Sequence, residues 1–129
     1  MPYRELEHTA DIWIEVTGTS LENLLEEAGV ALFSIVGTPA SQTQTHEFEI
    51  KASSNEELLV RWLEELYAES QISGILFSRF KVTTTPTGVK AKAWGGPGHV
   101  KTEIKAVTWA RLRIWQEGNA WKARVLFDI

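Results

Sequence analysis

The order in which the hydrophobic period changes is the tightest constraint on what this chain can fold into. Ile12, Ile14 and Val16 alternate with Trp13, Glu15 and Thr17, the period of a half-buried strand. Beyond Gly18 the spacing lengthens, and Leu21, Leu24, Leu25, Ala28, Leu32 and Ile35 share one helical face. Phe48 and Ile50 restore alternation over residues 47–52, and Leu58, Leu59, Trp62, Leu63 and Leu66 then form a second helical stripe. From residue 75 onward only strand-like runs remain. Strands, helix, strand, helix and a closing run of strands predict an α+β fold, with two helices packed on one face of a mainly antiparallel β-sheet. At 129 residues the chain has room for one good core, so residues 1–129 are expected to form a single domain.

Local punctuation fits this order. Residues 3–6 suit a short edge strand. Thr19 with Glu22, and Ser53 with Glu56, have capping-box spacing in front of the two helical stripes. Gly37 and Pro39 stop the first helix and Gly74 closes the second. Residues 40–45 are polar and loop-like. Thr85-Pro86-Thr87-Gly88 has turn chemistry between strands at 75–84 and 89–94. Gly95-Gly96-Pro97-Gly98 is expected as a loop and lacks the spacing and lysine of a P-loop. The last third reads as a hairpin about a Gly118-Asn119 turn. That register sets Leu112 opposite Val125 and Trp109 opposite Asp128, and it brings Lys105 and Thr108 towards the end of the sheet that holds Asp128.

Composition narrows function by exclusion. The net charge of −4 argues against bulk electrostatic attachment to nucleic acid or an anionic membrane, while leaving room for a local basic stripe. With no cysteine in the chain, disulfides, thiolate catalysis and zinc–thiolate sites are ruled out. Any metal site must use oxygen ligands or one of His8, His46 and His99. No apolar run is long enough to span a membrane and the N-terminus lacks a signal peptide's apolar segment, so a cytoplasmic location is expected.

Two constellations carry chemistry. Asp11 opens an early strand and Asp128 closes the last one. Antiparallel alignment would place both carboxylates at one end of the sheet, beside the terminal carboxylate of Ile129. Such a group needs a counter-charge, either a hard cation such as calcium or magnesium or the ammonium of Lys105. Without that alignment both aspartates are simply solvated. The second constellation is the polar face of the hairpin, where Trp109, Arg111, Arg113, Trp115, Lys122 and Arg124 are expected to point one way. It suits either an ordinary solvated face or a basic-aromatic surface for single-stranded RNA. His46 and His99 have no ligand spacing and read as surface residues. No nucleophile–base arrangement or metalloprotease motif stands out, so an enzyme, for example a metal-dependent hydrolase, gets little support.

Four stretches of the sequence resemble the archease family. They are Glu7-His8-Thr9-Ala10-Asp11, Leu58-Leu59-Val60-Arg61-Trp62-Leu63-Glu64-Glu65-Leu66, Glu103-Ile104-Lys105-Ala106-Val107-Thr108 and Val125-Leu126-Phe127-Asp128-Ile129. Each is short, but their order makes them specific together, and the similarity spans essentially the whole chain. The resemblance implies a non-catalytic, chaperone-like activator of the tRNA-splicing RNA ligase, which joins a 2′,3′-cyclic-phosphate or 3′-phosphate end to a 5′-hydroxyl. It implies help with guanylylation of a ligase histidine and with repeated turnover. It carries the family's metal ligands onto Asp11, Asp128 and Ile129, and its functionally sensitive lysine onto Lys105, with Glu103 and His8 as neighbouring motif positions. The implied cofactor is a divalent cation, calcium first, with magnesium or manganese as alternatives. The implied partner is the ligase, with GTP or RNA reached through it, and with neither DNA nor membrane. One position departs from the family pattern: Trp109-Ala110 stands where many members have tyrosine-histidine.

Overall fold

The structure is a computed structural model and describes residues 2–6 and 11–129. Nine elements follow one another: β1 (Tyr3–Leu6), β2 (Ile12–Gly18), α1 (Leu21–Val36), β3 (Gln44–Lys51), α2 (Asn55–Ser73), β4 (Leu76–Thr85), β5 (Gly88–Gly96), β6 (Ala106–Glu117) and β7 (Ala120–Asp128). The fold is α+β, two helices against antiparallel strands, as the changes of period predict. The strands form two sheets where one was expected: a four-stranded sheet in the order β1-β2-β7-β6 and a three-stranded one in the order β3-β5-β4.

The apolar surface of the helices explains the division. On α1 the buried set includes Leu24, Leu25, Ala28, Leu32, Phe33 and Val36, more than the single stripe one sheet can cover. One side of α1 meets β2 and β7, and another meets β4; α2 meets β6 and β3. The helices are thus shared between the inner faces of both sheets. Ile14, Val16, Val125 and Phe127 come from one sheet and Phe48, Ile50, Phe80 and Val89 from the other, all in a single buried cluster. Trp62 sits at the centre of this arrangement. Its ring packs edge-on against Phe48 and Phe80, and its indole N–H donates to the Leu25 carbonyl at 2.8 Å. A buried tryptophan with its one donor satisfied couples the two helices at no unpaired polar cost.

Both helix starts lie one residue later than the capping boxes expected from Thr19 and Ser53. Ser20 accepts from the Asn23 N–H, and Asn23 in turn accepts from the Thr19 N–H. Ser54 accepts from the Glu57 N–H while Glu57 accepts from the Ser53 N–H. Each start offers two adjacent hydroxyls. At each start the second hydroxyl caps the helix, and its third neighbour, Asn23 or Glu57, reaches back to the donor in front of it. Gly95 and Gly96 also depart from expectation, since they belong to β5 rather than to a loop. A β-carbon on Gly95 would lie 2.0 Å from the Leu76 carbonyl oxygen, so β4 and β5 pair this closely only because the side chain is missing.

The β6–β7 hairpin turns at Gly118-Asn119, with Glu117 opposite Ala120 and Arg113 opposite Arg124. Near the turn the register is therefore the expected one. It then shifts between Thr108 and Arg113, and beyond the shift Ala106 pairs with Asp128. Trp109 is accordingly not opposite Asp128. The residues between lie in a bulge, where Arg111 has a positive φ of 59°. The bulge switches which residues of β6 face inward. Ile114 packs on the core near the turn and Val107 does so beyond the shift, while Ala110, expected inside, is exposed. Simple alternation cannot anticipate this, because an odd number of inserted residues reverses every facing position after it.

Candidate functional site

The antiparallel ladder of β2 and β7 ends at the pair Ile12–Phe127. Asp11 directly precedes one member of that pair and Asp128 directly follows the other, so the two aspartates flank the end of the ladder. β6 closes the other side, with Ala106 paired to Asp128 and the Lys105 N–H donating to the Asp128 carbonyl at 2.8 Å. Asp128 is thus the central residue of the tip, between the strand that follows Asp11 and the one that follows Lys105. Asp11 and Asp128 are half-buried; Lys105 and Ile129 are exposed.

The segment leading to Lys105 is anchored from below. The amides of Lys101 and Thr102 donate to the Val36 carbonyl at the end of α1, at 2.7 and 3.3 Å. The Ile104 N–H donates to the Tyr67 hydroxyl of α2 at 2.9 Å. Ile104 is buried while its neighbours Glu103 and Lys105 are exposed, so one apolar anchor presents two charged side chains to solvent. His8 and Glu7 lie outside the described residues. Among the described residues, no three His, Cys, Asp or Glu side chains come together as a metal cluster. The oxygen donors expected here from the sequence are the Asp11 and Asp128 carboxylates and the terminal carboxylate of Ile129. Such an all-oxygen set fits a hard cation rather than zinc or copper, with water completing the shell.

The outer face of the same sheet holds a group that alternation alone does not single out. Glu15, only 8% exposed, stands in the ladder between Arg4 and Arg124. The Arg124 guanidinium donates to one carboxylate oxygen at 3.0 Å and that of Arg4 to the other at 3.2 Å. Burial pushes the Glu15 carboxyl upward in pKa; the hydrogen bonds from Arg124 and Arg4 outweigh it and hold the group below the ordinary glutamate range. The hairpin cations expected to face outward are largely engaged here. Arg113 lies over Trp115 at 4.3 Å and Arg111 over Trp13 at 5.1 Å from the ring centroids, and Lys122 reaches Glu117 at 3.8 Å. Trp109 stands apart on the bulge, 57% exposed. Of the remaining histidines, His99 is exposed. His46, expected as a plain surface residue, is half-buried, 3.4 Å from a Glu69 oxygen and against the Phe48 ring.

Residues 3–129 match the model of the archease protein family. The chain belongs to the archease family. An archease from Methanopyrus kandleri is 34% identical over the whole of both chains, and one from Sulfurisphaera tokodaii is 35% identical over 95% of each. The solution structure of Methanobacterium thermoautotrophicum protein 1598 superposes with a TM-score of 0.81 at 29% identity, covering 99% of both chains. The crystal structure of a Thermotoga maritima archease, described as a possible chaperone, gives 0.72 at 27% identity, covering 98% of this chain and 96% of that one. The archease fold therefore accounts for the two-sheet architecture found here. Among the described residues no helix is long and apolar enough to cross a membrane.

Proposed function

We propose that this protein is a non-catalytic, chaperone-like activator of the cytoplasmic tRNA-splicing RNA ligase, working through its acidic tip. The observation that carries this reading is the end of the β2–β7 ladder, where Asp11 and Asp128 flank the last pair and the Lys105 amide is tethered to Asp128. Family membership supports it, and so does the description of the Thermotoga relative as a possible chaperone. A tip at the end of a paired sheet suits insertion into another protein's site, since residues at or directly beside paired strand ends keep their geometry on contact. Asp11, Asp128 and the Ile129 carboxylate would hold a divalent cation, calcium by preference, which would neutralise their mutual repulsion. Lys105 supplies an exposed positive charge beside that group, suited to a phosphate of the ligase's nucleotide. Glu103, on the same anchored segment, and His8, outside the described residues, complete the set of residues assigned to activation.

The test is ligase–GMP formation and multiple-turnover joining, measured with the ligase, GTP and divalent metal, with and without this protein. Acceleration by the native chain, and its loss in folded Asp11→Ala and Asp128→Ala chains, is the expected result. Normal activation by both variants removes the tip as the working site.

A further inference from the structure

The outward positions of β4 and β5 carry Arg79, Lys81, Lys90 and Lys92 and no carboxylate, in a chain whose net charge is −4. The strand register sets Lys81 directly opposite Lys92. Like charges in that relation destabilise a sheet. On the edge strand, Glu47 and Glu49 stand across from Lys92 and Lys90, yet none of the four cations is in an ion pair among the described residues. Trp94 organises the cluster. The Arg79 guanidinium lies 4.3 Å from the centre of its ring and the Lys92 ammonium 5.3 Å away. Four cations without ion-pair partners among the described residues therefore share this face, which is regularly paired apart from the shift at Phe77–Arg79.

We propose that this outer face of the three-stranded sheet binds the phosphodiester backbone of single-stranded RNA. Strands about 4.8 Å apart, with same-face residues about 6.8 Å apart along each, present charge as a lattice rather than a pocket, which suits a repeating anion. A protein partner would need buried apolar anchors at its centre. The aromatic residue here, Trp94, is half-buried with Arg79 over its ring. The guanidinium plane of Arg79 offers a surface on which a base can stack. The hairpin face of the other sheet is the weaker candidate, because Arg4, Arg124 and Lys122 already pair with its own glutamates. The choice of RNA among polyanions rests on the proposed ligase partner; the cation array does not.

The full chain, without ligase, is titrated into a fluorescein-labelled oligouridylate and polarisation is followed across a salt series. Four phosphate contacts give a log–log salt slope of about −3, from about −0.7 per contact on a single strand. Lys81→Gln/Lys92→Gln should halve that slope and weaken binding roughly tenfold or more at 0.1 M salt. The same variant should melt within a few degrees of the native chain, because the Lys81–Lys92 repulsion that it removes offsets the lost contacts of Lys92 with Trp94 and Glu47. Binding should persist in Asp128→Ala, so failure of the tip as an activating site and failure of this face are read separately. Unchanged RNA affinity in the double variant, salt-independent binding, or tighter binding of a polyglutamate peptide than of RNA would overturn the proposal.

Discussion

The two sheets share one core and differ in how they spend their outer faces. The four-stranded sheet places a buried glutamate between two arginines, covers Trp13 and Trp115 with guanidinium groups and interrupts its last hairpin with a bulge. Its cations are bound up internally, and Asp11, Asp128 and Lys105 lie at one end of it. The three-stranded sheet has paired positions running the length of β5, a shift in β4 only at Phe77–Arg79, and cations without ion-pair partners among the described residues. Internal neutralisation marks a surface built for stability, and uncompensated charge marks one that an external counter-charge would complete. The first sheet should therefore lose stability when its outer charges are removed, whereas the second should not.

The largest effect belongs to the tip. On the proposed reading, Asp128→Ala deletes one charged ligand, worth about 1.5–3 kcal/mol in charge-assisted contacts, which is about tenfold to a hundredfold in cation affinity. Calorimetric titration with calcium measures this, and ligase stimulation should fall with it. The melting temperature should stay within a few degrees, because Asp128 is at the end of its strand and outside the buried cluster. A large loss of stability with normal calcium binding would show that the tip is structural and would remove this half of the contrast.

Next comes Glu15. Replacement by Gln leaves the Arg124 guanidinium, with a side chain only 33% exposed, without its counter-charge. The expected loss is about 1.5–3 kcal/mol, towards the lower end because the Arg4 side chain is 64% exposed and its share is screened. The sign with pH follows from the lowered carboxyl pKa. The contribution is fully present above the ordinary glutamate value, and it is lost as pH falls through the lower folded one. Glu27 works the other way. Burial, and then the neighbouring Glu26, push its carboxyl up, so its charged form costs stability as pH rises through the folded value. Glu27→Gln should therefore stabilise at neutral pH and do nothing in acid. Chemical denaturation at pH 3 and pH 7 separates the two, and a pH-independent Glu15→Gln effect would remove the ion-pair account.

The fold and the shared end of the two aspartates were legible for the same reason: both depend on the order and ends of elements. The period changes located both helices and most of the strands, and the positions of Asp11 and Asp128 at strand ends brought them to one place once β2 and β7 paired. Three features were not legible. The division into two sheets depends on how much of the α1 circumference is buried, which Phe33 and Val36 reveal only once α1 is seen to lie against both sheets. The bulge in β6 is carried by Arg111, a residue type that does not announce a left-handed backbone. The Glu15 bracket depends on the register of three strands at once, since Arg4 and Arg124 are distant from it in sequence.

On the three-stranded sheet the expected change in stability has the opposite sign. Lys81→Glu converts a like-charged cross-strand pair into an oppositely charged one, a change of about 0.2–1 kcal/mol in favour of the fold. Both positions are exposed, so nothing in the core opposes it. A higher urea midpoint with unchanged slope is the expected result. A lower midpoint would mean that Lys81 is already compensated, and the contrast between the sheets would weaken.

The smallest effect should come from the bulge, where two opposing terms nearly cancel. Arg111 holds a positive φ of 59°, which costs a residue with a β-carbon about 1–2 kcal/mol. Replacing it with glycine removes that strain. The same change gives up the contact with the Trp13 ring, about 0.5–1 kcal/mol for an exposed pair, and adds unfolded-state entropy worth about 0.5–1 kcal/mol. The net for Arg111→Gly is about zero. Arg113→Gly supplies the control. It sits in regular pairing opposite Arg124, has no strain to relieve and also loses a stacked tryptophan, so it should cost about 1–2 kcal/mol. The difference between the two variants, measured by urea denaturation side by side, isolates the backbone term. Equal losses at both positions would mean that the bulge stores no strain. β6 would then be held out of register by Trp109 and its neighbours rather than by the left-handed residue.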